Sequence, residues 1–185
     1  MTDTLEKQVG GYLISTGLKL CLAESCTGGL IAHRITNIAG SSEYFLAGVV
    51  AYSYEAKETL LGVRKSTLTR FGAVSQETVL EMANGVRWKM QKRFPMEKTV
   101  GVSVSGIAGP GGGMPGKPVG LVWVGLSTPE GNEAFQFQGN GNREENKAFS
   151  ADKALEVLLE YLRQHAGKQT QERADSNSRC RLLST

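Results

Sequence analysis

Ser25 lies in the stretch Ala23-Glu24-Ser25-Cys26-Thr27-Gly28-Gly29. Before it an apolar run, Leu18 to Ala23, reads as a buried strand. After it Leu30, Ile31 and Ile35 recur with helical spacing. A strand-to-helix turn of this kind gathers hydroxyls and backbone N–H groups at one spot. The positive end of the helix dipole there favours an anion or an oxyanion. The same residues also describe a plain helix cap, with Ser25 or Thr27 capping and the glycines easing the turn. A serine becomes a nucleophile only beside a base, so the base decides between the two readings.

The chain has two histidines. His33 falls two turns along the helix that follows Ser25, roughly 10 Å away at 1.5 Å rise per residue. His165 belongs to the C-terminal end of the last helix. Neither suits a Ser–His–Asp triad, and both read as exposed surface residues. A lysine can replace histidine where burial leaves its amine neutral. Lys57 follows a strand end and opens a short helix, the kind of position Ser25 also occupies, with Tyr52 and Tyr54 just ahead of it. Tyr52 could relay a proton or orient the amine. By spacing alone, Lys57 is equally a solvated helix residue and Tyr52 a sheet-packing aromatic. Cys26 is a rival nucleophile, but no imidazole is placed to make it a thiolate. A small buried cysteine suits it better.

A second feature is the loop Gly106 to Pro118. Five of the eight residues from 106 to 113 are glycine, which favours close approach of backbone to a ligand. Gly111 to Lys117 fits G-x-x-x-x-G-K, the front of a P-loop. Pro118 then replaces the Ser or Thr that would hold magnesium, and a strand follows where a helix is required, which excludes an ATPase of that class. A glycine-rich backbone can still bind phosphate through its N–H groups. Arg143 opens the last helix, where the dipole disfavours a cation, which is a reason to look for an anion beside it.

These residues need a scaffold. Asp3-x-x-Glu6 resembles a capping box for a first helix that carries Leu5, Val9, Tyr12 and Leu13 on one face and stops at Gly17. Tyr44 to Tyr54 is a second strand, and Glu55-Ala56-Lys57 starts a short helix that Gly62 ends. Val63 to Gly72 reads as a helical turn and loop. Ser75 caps a strong helix with Val79, Met82, Ala83, Val86 and Met90 inward, and Pro95 marks its end. Thr99 to Ser105 and Val119 to Ser127 are strands, the latter central. Glu133 to Gln138 pairs with it as a hairpin across Glu130-Gly131-Asn132. The last helix carries Ala148, Ala151, Leu155, Leu158, Leu159 and Leu162. Alternating strands and helices with one antiparallel hairpin indicate a single-domain α/β/α sandwich with a mixed, mostly parallel sheet. In such sheets ligands gather at strand ends, which groups the loops 24–29, 52–57 and 105–118.

Composition narrows the functional classes. The 185 residues carry a net charge of +3, of which +2 sits in Gly167 to Thr185. A near-neutral body is a poor footprint for nucleic acid. We read residues 1–166 as the domain and 167–185, rich in Gln, Ser, Asn and Arg, as a disordered polar tail. No run is long enough to span a bilayer, and Met1 to Lys7 is not a secretory signal. Three cysteines, Cys21, Cys26 and Cys180, have no metal-type spacing, which suits a reduced, cytoplasmic setting.

Together these segments resemble the CinA C-terminal domain, or nicotinamide-nucleotide amidase, family. The matching stretches are Ala23 to Gly29, Gly40-Ser41-Ser42, Gly48 to Ser53 with Glu55-Ala56-Lys57, Gly72 to Ser75, Ser105 to Gly112, and Lys117 to Gly120. They run in the family's order from about residue 5 to 163. The resemblance implies hydrolysis of the carboxamide of nicotinamide mononucleotide to nicotinic acid mononucleotide and ammonia. It implies a serine–lysine mechanism: Ser25 as nucleophile, Lys57 as general base, Tyr52 as an assisting hydroxyl, and no metal or redox cofactor. Backbone N–H groups of the 26–29 turn would stabilise the oxyanion. Thr27, Gly28 and Gly29, the loop residues Ser105, Gly106, Gly109, Gly111 and Gly112, and Arg143 would hold the substrate. The second basic residue often found after that arginine is absent from Glu144-Glu145-Asn146-Lys147, which leaves the phosphate contact open. The larger N-terminal domain of full-length CinA proteins is also absent, so a stand-alone form is expected, as a homo-oligomer with a dimer the simplest case. Two rivals remain: a catalytically inactive nucleotide-binding paralogue and a competence-linked interaction protein.

Overall fold

The computed structural model describes residues 3–182, with side chains through Gln171. The first strand sets the architecture. In β1 (Lys19–Glu24) every residue after Lys19 is buried. Successive side chains point to opposite faces, so Leu20 and Leu22 join one core while Cys21 and Ala23 join another. A strand buried on both faces needs helices on both sides. α1 (Leu5–Thr16), α2 (Leu30–Thr36) and α6 (Arg143–Leu182) supply one layer. α3 (Tyr54–Leu61), α4 (Lys65–Phe71) and α5 (Gln76–Met90) supply the other.

The sheet has the order β2-β1-β3-β4-β5, with β2 at Phe45–Val50, β3 at Thr99–Gly106, β4 at Leu121–Ser127 and β5 at Asn132–Gln138. β1 pairs in parallel with both β2 and β3. β4 pairs antiparallel with β3 and with β5, so four strands run one way and β4 runs against them. The expected β4–β5 hairpin is present. The antiparallel β3–β4 pairing was not expected, and it makes the glycine-rich loop the connection of a second, wider hairpin. α5 lies directly on this sheet. Ser103 Oγ donates to the Val79 carbonyl at 2.6 Å, and a Cβ on Gly125 would meet that same carbonyl oxygen at 2.4 Å.

Several local signals act as expected. Gly17 and Gly62 end α1 and α3 at φ 73 and 72, and Ser75 Oγ accepts from the Thr78 amide to cap α5. The Asp3-x-x-Glu6 box does not form. Thr4 is the N-cap, Asp3 pairs with Lys7, and Glu6 joins Arg34, which also holds Asp152 at 2.7 Å. Those side chains tie α1, α2 and α6 together. Residues 65–71, expected as a turn and loop, form the helix α4. α6 does not stop at 166, where the sequence places the start of a disordered tail. It continues to Leu182; after Gly167 the stretch contains no proline or glycine, and its three Arg and two Gln are residues a helix accepts. Residues 183–185 of the expected tail, and the side chain of Cys180, lie outside the described residues. None of the described helices is long and apolar enough to cross a membrane.

Candidate active site

Parallel pairing of β1 with β2 and β3 brings three strand ends to one edge of the sheet. The chain leaves β1 toward α2 on one face and leaves β2 toward α3 on the other. Strand order reverses at that point, which is where α/β sheets bind ligands. Ser25 follows the end of β1. Lys57 sits in the first turn of α3, which Ser53 caps by accepting from the Ala56 amide.

The two side chains meet. Lys57 Nζ lies 2.8 Å from Ser25 Oγ. The amine also donates to the carbonyls of Ala51 at 2.8 Å and Tyr52 at 3.2 Å. Lys57 is 0% exposed and Ser25 is 7% exposed. Among the described residues Lys57 makes no ion pair. Burial without a counter-charge disfavours the ammonium and lowers the Lys57 pKa from 10.5 to about 8. The neutral amine has two N–H donors and one lone pair. Two carbonyls take the donors, and the lone pair then faces the Ser25 hydroxyl.

The turn itself corrects one expectation. Neither Ser25 nor Thr27 caps α2; Glu24 does. Its carboxylate is buried and accepts four hydrogen bonds, from Thr27 Oγ1 (2.7 Å), Gly29 N (3.0 Å), Ile31 N (3.1 Å) and Ala32 N (2.8 Å). The start of α2 is therefore occupied by the protein's own anion. Gly28 and Gly29, at φ 66 and 97, make the reversal that lets the strand-end carboxylate reach the helix. The Gly28 amide bonds the Ser25 carbonyl and the Ser25 amide bonds Val104. Of the four amides from 26 to 29, that of Thr27 has no partner among the described residues, and that of Cys26 faces only its own thiol.

The remaining wall comes from α6. Asn142 and Glu145 form a capping box at its start: Asn142 Oδ1 accepts from the amides of Glu144 and Glu145, and Glu145 Oε2 in turn accepts from the Asn142 amide. Arg143 then reaches across this edge of the sheet, with Nη1 on the Gly109 carbonyl at 2.6 Å and Nη2 on the Tyr52 hydroxyl at 2.9 Å. One turn later, the Lys147 ammonium stands 3.8 Å from where a Gly28 side chain would begin.

Residues 2–162 match the family model described as the CinA C-terminal domain. The chain belongs to that family. A putative competence-damage inducible protein of Halothermothrix orenii is 47% identical over 161 residues, 86% of this chain and 38% of the relative. A CinA-like protein of Kosmotoga olearia is 46% identical over 162 residues, 85% of this chain and 38% of the relative. The chain thus spans well under half the length of these curated relatives. Among solved structures, a CinA superfamily protein from Klebsiella pneumoniae superposes with a TM-score of 0.80 at 34% identity, covering 86% of this chain and 96% of that one. CihA from Agrobacterium tumefaciens superposes with a TM-score of 0.74 at 38% identity, covering 88% and 98%.

In this CinA domain the sequence-derived site residues fall into groups. Ser25, Lys57, Tyr52, Thr27, Gly28, Gly29 and Arg143 gather at this edge of the sheet. The Tyr52 hydroxyl points to Arg143; the lysine amine is oriented instead by the Tyr52 carbonyl. The base of the glycine-rich loop is anchored and its tip is exposed. Gly109 is buried against Val119, where a Cβ would meet Cγ1 at 2.6 Å, while Gly111 and Gly112 are open to solvent. Ser105 is buried and its hydroxyl donates to the Ala73 carbonyl at 2.8 Å, so it and neighbouring Gly106 shape the loop's exit from β3. The lysine of the P-loop-like segment, Lys117, folds back onto the Phe71 carbonyl at 2.5 Å.

His33 is exposed, as expected. His165 is half-buried and bonds Glu130 at 2.8 Å, in a separate concavity of about 610 Å³ between β5 and α6. That concavity lies at the opposite end of the sheet and holds no serine–lysine pair. Cys26 is buried, and burial pushes its thiol up to about 11, which removes it as a thiolate nucleophile. Among the described residues no three His, Cys, Asp or Glu side chains converge as metal ligands.

Sequence reasoning missed three residues. Glu24 carried a signal, a carboxylate ending an apolar strand just before a helix start. Asn146 is buried and ties Ala108 and Gly141 to α6; its signal was a polar residue in line with Ser150 and Ala154 on the inward stripe. Lys147 is four residues beyond Arg143, the spacing that puts two side chains on one helical face. It brings a second cation to this edge of the sheet.

Proposed function

We propose that this CinA domain is a nicotinamide-nucleotide amidase of the serine–lysine type, converting nicotinamide mononucleotide to nicotinic acid mononucleotide and ammonia. The observation that carries the reading is the 2.8 Å contact between Ser25 Oγ and a fully buried lysine amine that has no counter-ion among the described residues. With a pKa near 8, about a tenth of Lys57 is neutral at pH 7, enough to act as a general base.

In this scheme Lys57 takes the proton of Ser25, and Ser25 attacks the carboxamide carbon. The amides of Cys26 and Thr27 are the oxyanion donors, each worth roughly 3–4 kcal/mol in other hydrolases. Lys57 returns the proton to the leaving nitrogen and ammonia departs. Water, activated by the same amine, then releases the acid. Because Glu24 occupies the start of α2, the substrate phosphate falls instead to Arg143 and Lys147, with the glycine-rich loop beside them. Tyr52 assists by holding the Arg143 guanidinium. The reaction itself needs no metal or redox cofactor. We place it in the cytoplasm, where Cys21 and Cys26 remain free thiols, and expect a homodimer.

The deciding experiment is ammonia release from nicotinamide mononucleotide by the wild type and by Ser25→Ala. Turnover lost in Ser25→Ala supports the scheme, and full activity in that variant eliminates it. Calorimetric binding of the nucleotide by a wild type that releases no ammonia would favour the inactive nucleotide-binding paralogue.

A further inference from the structure

We infer that Glu24 is a positioning residue for the Ser25 turn, holding the Cys26 and Thr27 amides free for the reacting carbonyl. The inference rests on the serine-hydrolase reading. A turn between a strand and a helix has several amides with no intrahelical partner. If nothing collected them, the turn could close on itself and bring amides 26 and 27 onto the backbone or onto the Ser25 hydroxyl. Glu24 prevents this from within. One carboxylate oxygen takes Thr27 Oγ1, Gly29 N and Ile31 N, and the other takes Ala32 N. The bond to Thr27 Oγ1 is the telling one. It fastens the side chain of a residue whose own amide is unpartnered, and so sets the direction in which that amide points.

The arrangement also frees Ser25 for chemistry. A serine that capped α2 would have its oxygen committed to a backbone N–H. Here a neighbouring residue on the strand caps the helix, and Ser25 Oγ has Lys57 as its partner. The charge has an electrostatic cost to the oxyanion, because a buried carboxylate close by repels developing negative charge. Four donors on that carboxylate offset much of the repulsion.

Glutamine is the informative replacement. All four partners of Glu24 are donors, so the amide nitrogen of Glu24→Gln would face one donor with another. The test compares wild type, Glu24→Gln and Thr27→Val. It uses two readouts: steady-state turnover of nicotinamide mononucleotide, and the rate at which diisopropyl fluorophosphate labels Ser25, followed by intact mass. In labelling, the Ser25 Oγ–P bond forms, the P–F bond breaks, fluoride leaves and the hydroxyl proton passes to Lys57. The phosphoryl oxygen occupies the oxyanion position, so the rate reports the turn whatever the natural substrate is.

For a folded Glu24→Gln, judged by its melting transition, kcat and the labelling rate should each fall about 100-fold, the effect of a small misplacement. KM should move by less than about threefold, because ground-state contacts are untouched. Thr27→Val should show the same pattern at about tenfold, and it decides the matter should Glu24→Gln not fold. The inference is overturned if the folded variants keep both rates, if the loss appears in KM alone, or if wild type does not label at all. A wild type that labels at Ser25 but releases no ammonia defeats the amidase reading while leaving Glu24 to be judged on labelling rates.

Discussion

Two cations are buried in the same helical layer, one at each end of the sheet. Lys57 is 0% exposed and Arg87 is 2% exposed, and neither makes an ion pair among the described residues. Arg87 donates to Ser127 Oγ at 2.7 Å and to the carbonyls of Thr128 and Met96 at 2.8 and 2.5 Å. Burial lowers the pKa of both. Guanidinium stays charged regardless and can only donate, so Arg87 is a permanent pin joining α5 to the far ends of β3 and β4. An amine can give up its proton, and one of the three groups around Lys57 is a hydroxyl able to donate in return. Burial of a cation is thus no sign of catalysis by itself. What matters is whether the cation can become neutral and which group faces it when it does.

That contrast can be broken most sharply at Lys57. Lys57→Met should cut ammonia release about 10⁴-fold, as loss of a catalytic group acting in a unit does elsewhere. Its melting temperature should equal or exceed that of wild type, because an unpaired buried ammonium is replaced by a side chain of similar volume. Arg87→Met should do the reverse. Urea unfolding should show a loss of about 3 kcal/mol from orphaned acceptors, with turnover per folded molecule retained. An Arg87→Met protein that is stable but inactive would undo the distinction.

A pH series sharpens it further. Lys57 must be neutral to accept a proton, so kcat/KM should rise with pH through an apparent pKa of about 8. Stability carries the same signature. Between about 8 and 10.5 the unfolded chain holds the Lys57 proton and the folded chain has released it, so wild type should gain stability as pH rises across that window. Chemical denaturation of Lys57→Met should lack that component. The smallest effect concerns Tyr44, whose buried hydroxyl has no partner among the described residues and lies against Gly10. Tyr44→Phe removes a desolvated group rather than a bond and should be neutral or stabilising by about 1 kcal/mol. A clear loss in its melting temperature would show that the hydroxyl has a partner after all.

How much of this was readable beforehand depends on range. Apolar runs and glycine stops located β1, α1, α3 and α5 because those signals are local. The sequence also put Ser25 and Lys57 at matching strand ends. Their contact depends on β1 and β2 lying side by side in parallel, which no local pattern encodes. The antiparallel β3–β4 pairing was missed because its connection is too long for a hairpin signature. The cap of α2 was misassigned because N-cap statistics favour serine and threonine, whereas Glu24 reaches the helix from the preceding strand. Tyr52 was expected to offer its hydroxyl to the lysine, but the hydroxyl bonds Arg143 and the lysine takes the Tyr52 carbonyl. Lys147 was in view but uncounted until the helix face brought it over Gly28.

The division of labour at the site has an evolutionary corollary. Ser25 and Lys57 are held by strand ends and by helices rooted in two cores, where a substitution disturbs packing on both sides of the sheet. Arg143, Asn146 and Lys147 all ride on the first turns of α6 and project from it. Under the proposed amidase reading, a handful of changes between residues 140 and 147 would therefore retune what is recognised while leaving the Ser25–Lys57 pair intact. Divergence in ligand preference should accumulate along that short cassette, and it is where a protein engineer should begin.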